Sequence, residues 1–163
     1  MFDRILFALD DSPAGEMATD FVSALAIRTG ATVHVFHVNE LQIGGRGLTL
    51  RTHRQVTDLV TGVVGQFAEH EVRAGASVRT ASYRQVPAQI AAAARERRAD
   101  VIVLGSNRQR RLGRLFSTRV RERTTRLTSL PVLTAPSPLE VTSLAGADTW
   151  DEGLDQLLET IIG

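Results

Sequence analysis

Unbroken apolar runs alternate along this chain with stretches whose apolar residues recur every three to four positions, which predicts strands and helices in turn. Asp3 to Leu9 reads as a short buried strand, closed by Asp10, Asp11, Ser12 and Pro13. Ser12 suits a helix N-cap and Pro13 the first helical position. Ala14, Met17, Ala18, Phe21 and Leu25 then recur at helical spacing up to Gly30, a residue suited to a left-handed cap. Thr32 to Val38 is rich in β-branched residues and predicts a second strand, and Asn39 to Leu50, with Gly44, Gly45 and Gly47, predicts a loop. Val56, Leu59, Val60, Val63, Val64 and Phe67 form one stripe of a helix over about Arg51 to Val72.

The rhythm continues with a strand over Ser77 to Tyr83 and a helix from Pro87 toward Arg98. Ala99 to Ser106 is the most informative segment, because Val101 to Leu104 is apolar throughout and stops at Gly105. Such a run fits a strand buried on both faces of a parallel sheet, and the glycine after it marks the edge where open α/β sheets bind ligands. Gly105 to Phe116 predicts a loop, Ser117 to Thr128 a helix, and Pro131 to Thr134 a fifth strand. Parallel strands joined by helical crossovers give an α/β fold, a three-layer, doubly wound, five-stranded parallel sheet over residues 1–135. From Pro136 the rhythm changes. A linker leads to an acidic amphipathic helix near Thr149, where Thr149 and Glu152 form a capping-box pair and Trp150, Leu154, Leu157, Leu158 and Ile161 share one face. Residues 136–163 are therefore read as linker plus docking helix.

With 163 residues, 43% of them hydrophobic, the chain can build one domain with a real core. The absence of cysteine excludes disulfides and thiol chemistry, and the first apolar run is too short for a signal peptide or a membrane span. A cytoplasmic protein without membrane insertion is expected. All 19 basic residues are arginine, in keeping with a GC-rich genome. Eight of them, Arg108, Arg110, Arg111, Arg114, Arg119, Arg121, Arg123 and Arg126, crowd the loop and helix after Gly105, opposed locally by Glu122. A solvated face, an acidic tail folding back on this cluster, and a polyanion site are the three readings. The net charge of +1, the single Trp and Tyr, and the lack of any nucleic-acid-binding motif argue against nucleic acid. His34 and His37 sit three apart in a strand and so face opposite ways, which is poor geometry for one metal ion. No nucleophile stands at a recognisable spacing from a base, so an enzyme is not expected.

Ile5 to Ser12, Val35-Phe36-His37-Val38, Pro87-Ala88-Gln89-Ile90, Ala99 to Ser106, Val120 to Arg123 and Pro131-Val132-Leu133, in this order and spacing, resemble the universal stress protein family over residues 2–135. The resemblance implies a Rossmann-like fold of the adenine nucleotide alpha hydrolase-like kind, a stress-response role without catalysis, and homodimers pairing through the last edge strand, here Val132 to Thr134. It also implies an adenine and ribose pocket at Asp10, Val38, Leu104 and Gly105, with Ser106 beside it. ATP-binding members resemble one another in a phosphate loop of Gly, two residues, Gly, nine residues, Gly, then Ser or Thr. Glycines there let backbone N–H groups reach phosphate oxygens. In this chain Gly105 holds the first position, while Arg108, Thr118 and Arg119 occupy the other three, and Gln85 stands where many relatives have glycine. In one reading these side chains fill the cradle and ATP is not bound. In the other, guanidinium groups replace the lost backbone donors and ATP or AMP binds. The tail beyond Pro138 leaves room for a protein partner at the C-terminal helix.

Overall fold

Ile5 to Leu9 forms the buried centre of a sheet in the computed structural model, which describes residues 1–10, 13–44, 47–105 and 118–163. The elements in chain order are β1 (Arg4–Leu9), α1 (Pro13–Thr29), β2 (Thr32–Gly44), β3 (Gly47–Thr49), α2 (His53–Glu69) and β4 (Ala74–Ser82). A 3-10 turn (Tyr83–Gln85) leads to α3 (Val86–Glu96), β5 (Val101–Leu104), α4 (Thr118–Leu127), β6 (Val132–Thr134), α5 (Pro138–Ala145) and α6 (Trp150–Ile162). Five strands run parallel in the order β4-β2-β1-β5-β6, and β3 pairs antiparallel with the far end of β2. Strand side chains alternate between faces, so β1 sends Ile5, Phe7 and Leu9 into one core and Leu6 and Ala8 into the other. The first core packs α1, α2, α5 and α6. The second packs α3 and α4.

The predicted helical stripes are the buried ones. Ala18, Phe21 and Leu25 of α1, and Val56, Val60, Val63 and Phe67 of α2, lie against the sheet. Phe67 meets Phe7 edge to face, with ring centroids 6.3 Å apart. Gly30 ends α1 with φ of 71°, as a left-handed cap requires. The residues after α2 and α3 do the same without glycine, since Glu71 (φ 58°) and Arg98 (φ 51°) turn the chain. Both helices therefore stop short of the predicted Val72 and Arg98.

Three expectations are corrected. The predicted loop Asn39 to Leu50 contains strand, because β2 runs on to Gly44 and turns back through β3. Asn39 looks like a loop residue, yet it is buried. Its side chain receives a hydrogen bond from the Arg51 amide at 3.3 Å and donates to the Arg51 carbonyl at 2.9 Å, closing the base of this excursion. The third parallel strand lies three residues earlier at its start than predicted, Ala74 instead of Ser77. Small residues there pair with β2, although they carry little apolar signal. The linker after Pro136 contains a helix: Ser137 and Glu140 form a reciprocal capping box for α5, and Gly146 ends it with φ of 63°. In α6 the Thr149 hydroxyl accepts from the Glu152 amide, one of the two bonds of the predicted capping box. The two C-terminal helices cross closely at Gly153, where an added Cβ would stand 2.7 Å from a Val141 methyl.

Candidate functional site

The chain steps from β1 outward to β2 and β4, then returns across β1 to β5. This reversal opens a crevice at the carboxyl ends of β1 and β5, the usual ligand position in open α/β sheets. Asp10 follows β1 directly and is 3% exposed, while Gly105 follows β5. The two are neighbours, because a Cβ built on Gly105 would lie 4.0 Å from Asp10 Oδ1 and 3.8 Å from Ala18 Cβ. Asp10 and the first turn of α1 thus form one wall, with the amino end of the helix and its partial positive charge at the crevice.

Leu104 ends β5 and Val38 lies within β2, and the side chains of both belong to the core under α3 and α4. Thr118 and Arg119 open α4, and Arg119 is exposed. Ser106 and Arg108, with the Ser12 cap, lie outside the described residues. Gln85 caps the turn before α3, its side-chain oxygen accepting from the Ser82 amide at 3.1 Å and the Ser82 hydroxyl at 3.0 Å. Its place is therefore explained by local capping.

Sequence reasoning missed Gly15. A Cβ there would meet the Asp10 carbonyl oxygen at 2.9 Å, and a glycine in a helical first turn is the signal that could have exposed it. Gly15→Ala should cost about 1–3 kcal/mol through this clash with rigid backbone, more than the roughly 0.5–1 kcal/mol that alanine gains in a helix. Urea unfolding of the variant checks the sign. Thr19 donates its hydroxyl proton to the Gly15 carbonyl at 2.8 Å, which further fixes this turn.

The two strand histidines do face opposite ways. His37 is buried and its Nδ1 sits 2.9 Å from the Leu9 carbonyl, which accepts its proton and ties β2 to the residue before Asp10. His34 is half-buried at the other end of the sheet, with Nε2 2.7 Å from the Ser77 hydroxyl. Burial, helped by the positive Arg97, lowers the His34 pKa from 6.5 to about 4. Its neutral ring is favoured in the folded state, so its contribution is complete above pH 6.5 and is lost as pH falls toward 4. After discounting for solvent screening of a half-exposed group, about 1–2 kcal/mol should disappear over that window. His34→Gln should flatten this part of the stability–pH curve measured by urea unfolding.

The acidic tail does not reach the arginine cluster among the described residues; Asp155 of α6 pairs with Arg28 of α1 instead. No helix among the described residues is long and apolar enough to cross a membrane.

Strand order and the closeness of Asp10 and Gly105 define a doubly wound α/β domain. The family model of the universal stress proteins matches residues 1–136, and the chain belongs to the universal stress protein family. Among solved structures, a universal stress protein of Burkholderia pseudomallei is similar at 22% identity and a TM-score of 0.61, covering 83% of this chain and 96% of its own. One from Archaeoglobus fulgidus is 21% identical with a TM-score of 0.62, covering 83% of this chain and all of its own, 100%. Another Archaeoglobus fulgidus universal stress protein, in complex with dAMP, is 19% identical with a TM-score of 0.58, covering 82% of this chain and 98% of its own. No curated protein matches the chain.

Proposed function

We propose that this chain is a non-catalytic regulatory module of a stress response that does not hold ATP in the backbone cradle usual for its family. The observation that carries this reading is the replacement of three of the four phosphate-loop positions by Arg108, Thr118 and Arg119. Backbone amides approach a phosphate closely only where no Cβ intervenes. Thr118 and Arg119, at the start of α4, stand by the resemblance at positions where the family presents open donors. Residues 1–135 carry the module, and residues 136–163 are an addition to it.

A second reading is favoured by the dAMP complex of a relative and by the closeness of Asp10 and Gly105. In it ATP or AMP occupies the crevice, with Asp10, Val38, Leu104, Gly105 and Ser106 around adenine and ribose and the arginines holding the phosphates. Calorimetry with ATP and AMP separates the two. The first reading expects no heat of binding from ATP at about 1 mM, a range where even contacts worth only about 4 kcal/mol would register. If ATP binds, Arg108→Ala and Arg119→Ala should each weaken it by about 1.5–3 kcal/mol, the worth of a hydrogen bond to a charged group, and failure to do so sinks the arginine substitution.

The same module pairs with a second copy through β6, whose half-buried Val132 to Thr134 has β5 as its one strand neighbour among the described residues. Size-exclusion chromatography coupled to light scattering tests this, and a monomer ends it. The exposed acidic face of α6 is the surface left for another protein, and a cytoplasmic location fits these roles.

A further inference from the structure

The amino end of the parallel strands, opposite the crevice at their carboxyl ends, carries another concave surface. There Arg4, Thr32, His34 and Arg97, over a floor of Ile5 and Val33, line an open hollow of about 170 Å³. Three of the lining side chains carry basic nitrogen and none carries a carboxylate. Asp100, close by in sequence to Arg97, is committed elsewhere: its carboxylate accepts from the Asp3 amide at 2.8 Å and from the Arg4 amide at 3.2 Å.

Hydrogen bonds tie parts of the surround together. Arg4 Nε donates to the Arg98 carbonyl at 2.6 Å, which ties its guanidinium to the end of α3. Arg97 projects from a corner closed by bonds from its own amide to the Ala93 carbonyl and from the Ala99 amide to the Ala94 carbonyl, each 2.9 Å. His34 is held by Ser77, and Gly75 opposite it leaves the Nδ1 side uncrowded, since a Cβ there would still be 3.9 Å away. Two guanidinium groups around one hollow repel one another, and an anion seated between them, beside the His34 ring, converts that repulsion into charge-assisted hydrogen bonds.

We propose that the hollow formed by Arg4, Thr32, His34 and Arg97 at the amino edge of the sheet binds a small tetrahedral oxyanion of phosphate size. Arginine supplies planar paired donors, Thr32 a hydroxyl donor, and His34 a ring nitrogen that becomes a donor when the anion's charge favours the imidazolium. Burial first, and then the positive Arg97, lowers the basicity of His34.

The test is an NMR titration of the full chain with inorganic phosphate, following the histidine ring signals at constant ionic strength balanced with sodium chloride. Saturable shifts of His34 are expected with a Kd of about 1 mM or tighter, together with a rise of its titration midpoint. Arg97 is exposed, so Arg97→Ala leaves the fold intact and should weaken binding by about tenfold or more, the equivalent of one lost charged contact. Glycerol phosphate in a parallel arm tells whether the site takes a phosphoester terminus as well as the free anion. Shifts that stay linear, that chloride reproduces, that Arg97→Ala leaves unchanged, or that saturate at His37 instead of His34 overturn the assignment. Because the readout is local to the amino edge, it is independent of whether a nucleotide enters the crevice.

Discussion

A chain ending at Pro138 should lose about 5–9 kcal/mol of stability, because three side chains beyond that point, Val141, Leu154 and Leu158, are buried in the core and each contributes roughly 1.5–3 kcal/mol. Whole domains are stable by only about 5–15 kcal/mol, so the shortened chain should sit at the edge of folding. The loss is one of packing. Val141, Leu154 and Leu158 share a cluster with Phe21, Val22 and Leu25 of α1 and with Val101 and Val103 of β5, and Trp150, Leu157, Ile161 and Ile162 pack around them. The Arg28–Asp155 pair adds little, since exposed pairs contribute about 0.2–1 kcal/mol. Urea unfolding followed by circular dichroism reads the effect, with a broad, early transition expected for the shortened chain. An unchanged midpoint would mean that α5 and α6 only rest on the domain. The apolar face of α6 is spent inside the chain's own core, so the partner proposed for this helix would meet its acidic face.

Phe67→Ala should cost about 3–5 kcal/mol, the range for removing a buried aromatic ring. Phe67 is fully buried, meets Phe7 edge to face, and joins α2 to the strand that delivers Asp10 to the crevice. The cavity left behind lies beneath a strand flanked by two others, β2 and β5, so the surroundings cannot collapse far to fill it. The thermal unfolding midpoint should fall by about 6–20 °C at about 2–4 °C per kcal/mol for a chain of this size, and a fall of less than about 3 °C would show that the ring is dispensable. Loss of this contact should also loosen β1, so any ligand that binds at Asp10 should bind the variant more weakly.

Much of the architecture was legible because hydrophobic period is a local property. The runs at Ile5–Leu9 and Val101–Leu104, and the stripes of α1 and α2, announce strands buried on both faces and helices buried on one. Segments whose burial depends on distant partners were illegible. Asn39 reads as a loop residue until the Arg51 backbone is placed against its amide, and Ala74, Gly75 and Ala76 read as nothing until β2 lies beside them. Pro138 to Ala145 is short and of mixed polarity, so its capping box at Ser137 and Glu140 was the one signal available. At the crevice, Asp10 and Gly105 were visible as the residues that end two apolar runs, whereas Gly15 matters only through a backbone oxygen that the fold brings to it.

The sequence by itself determined the alternation of elements, the parallel sheet, the family to which the chain belongs and the two loops at which its crevice opens, since each follows from the order of apolar, polar and turn-forming residues. Tertiary structure alone decided that the C-terminal helices complete the core, that Asp155 meets Arg28, and that Arg4, His34 and Arg97 converge at the amino edge. These are contacts between residues far apart in the chain, and their energies exist only once the sheet has set the distances.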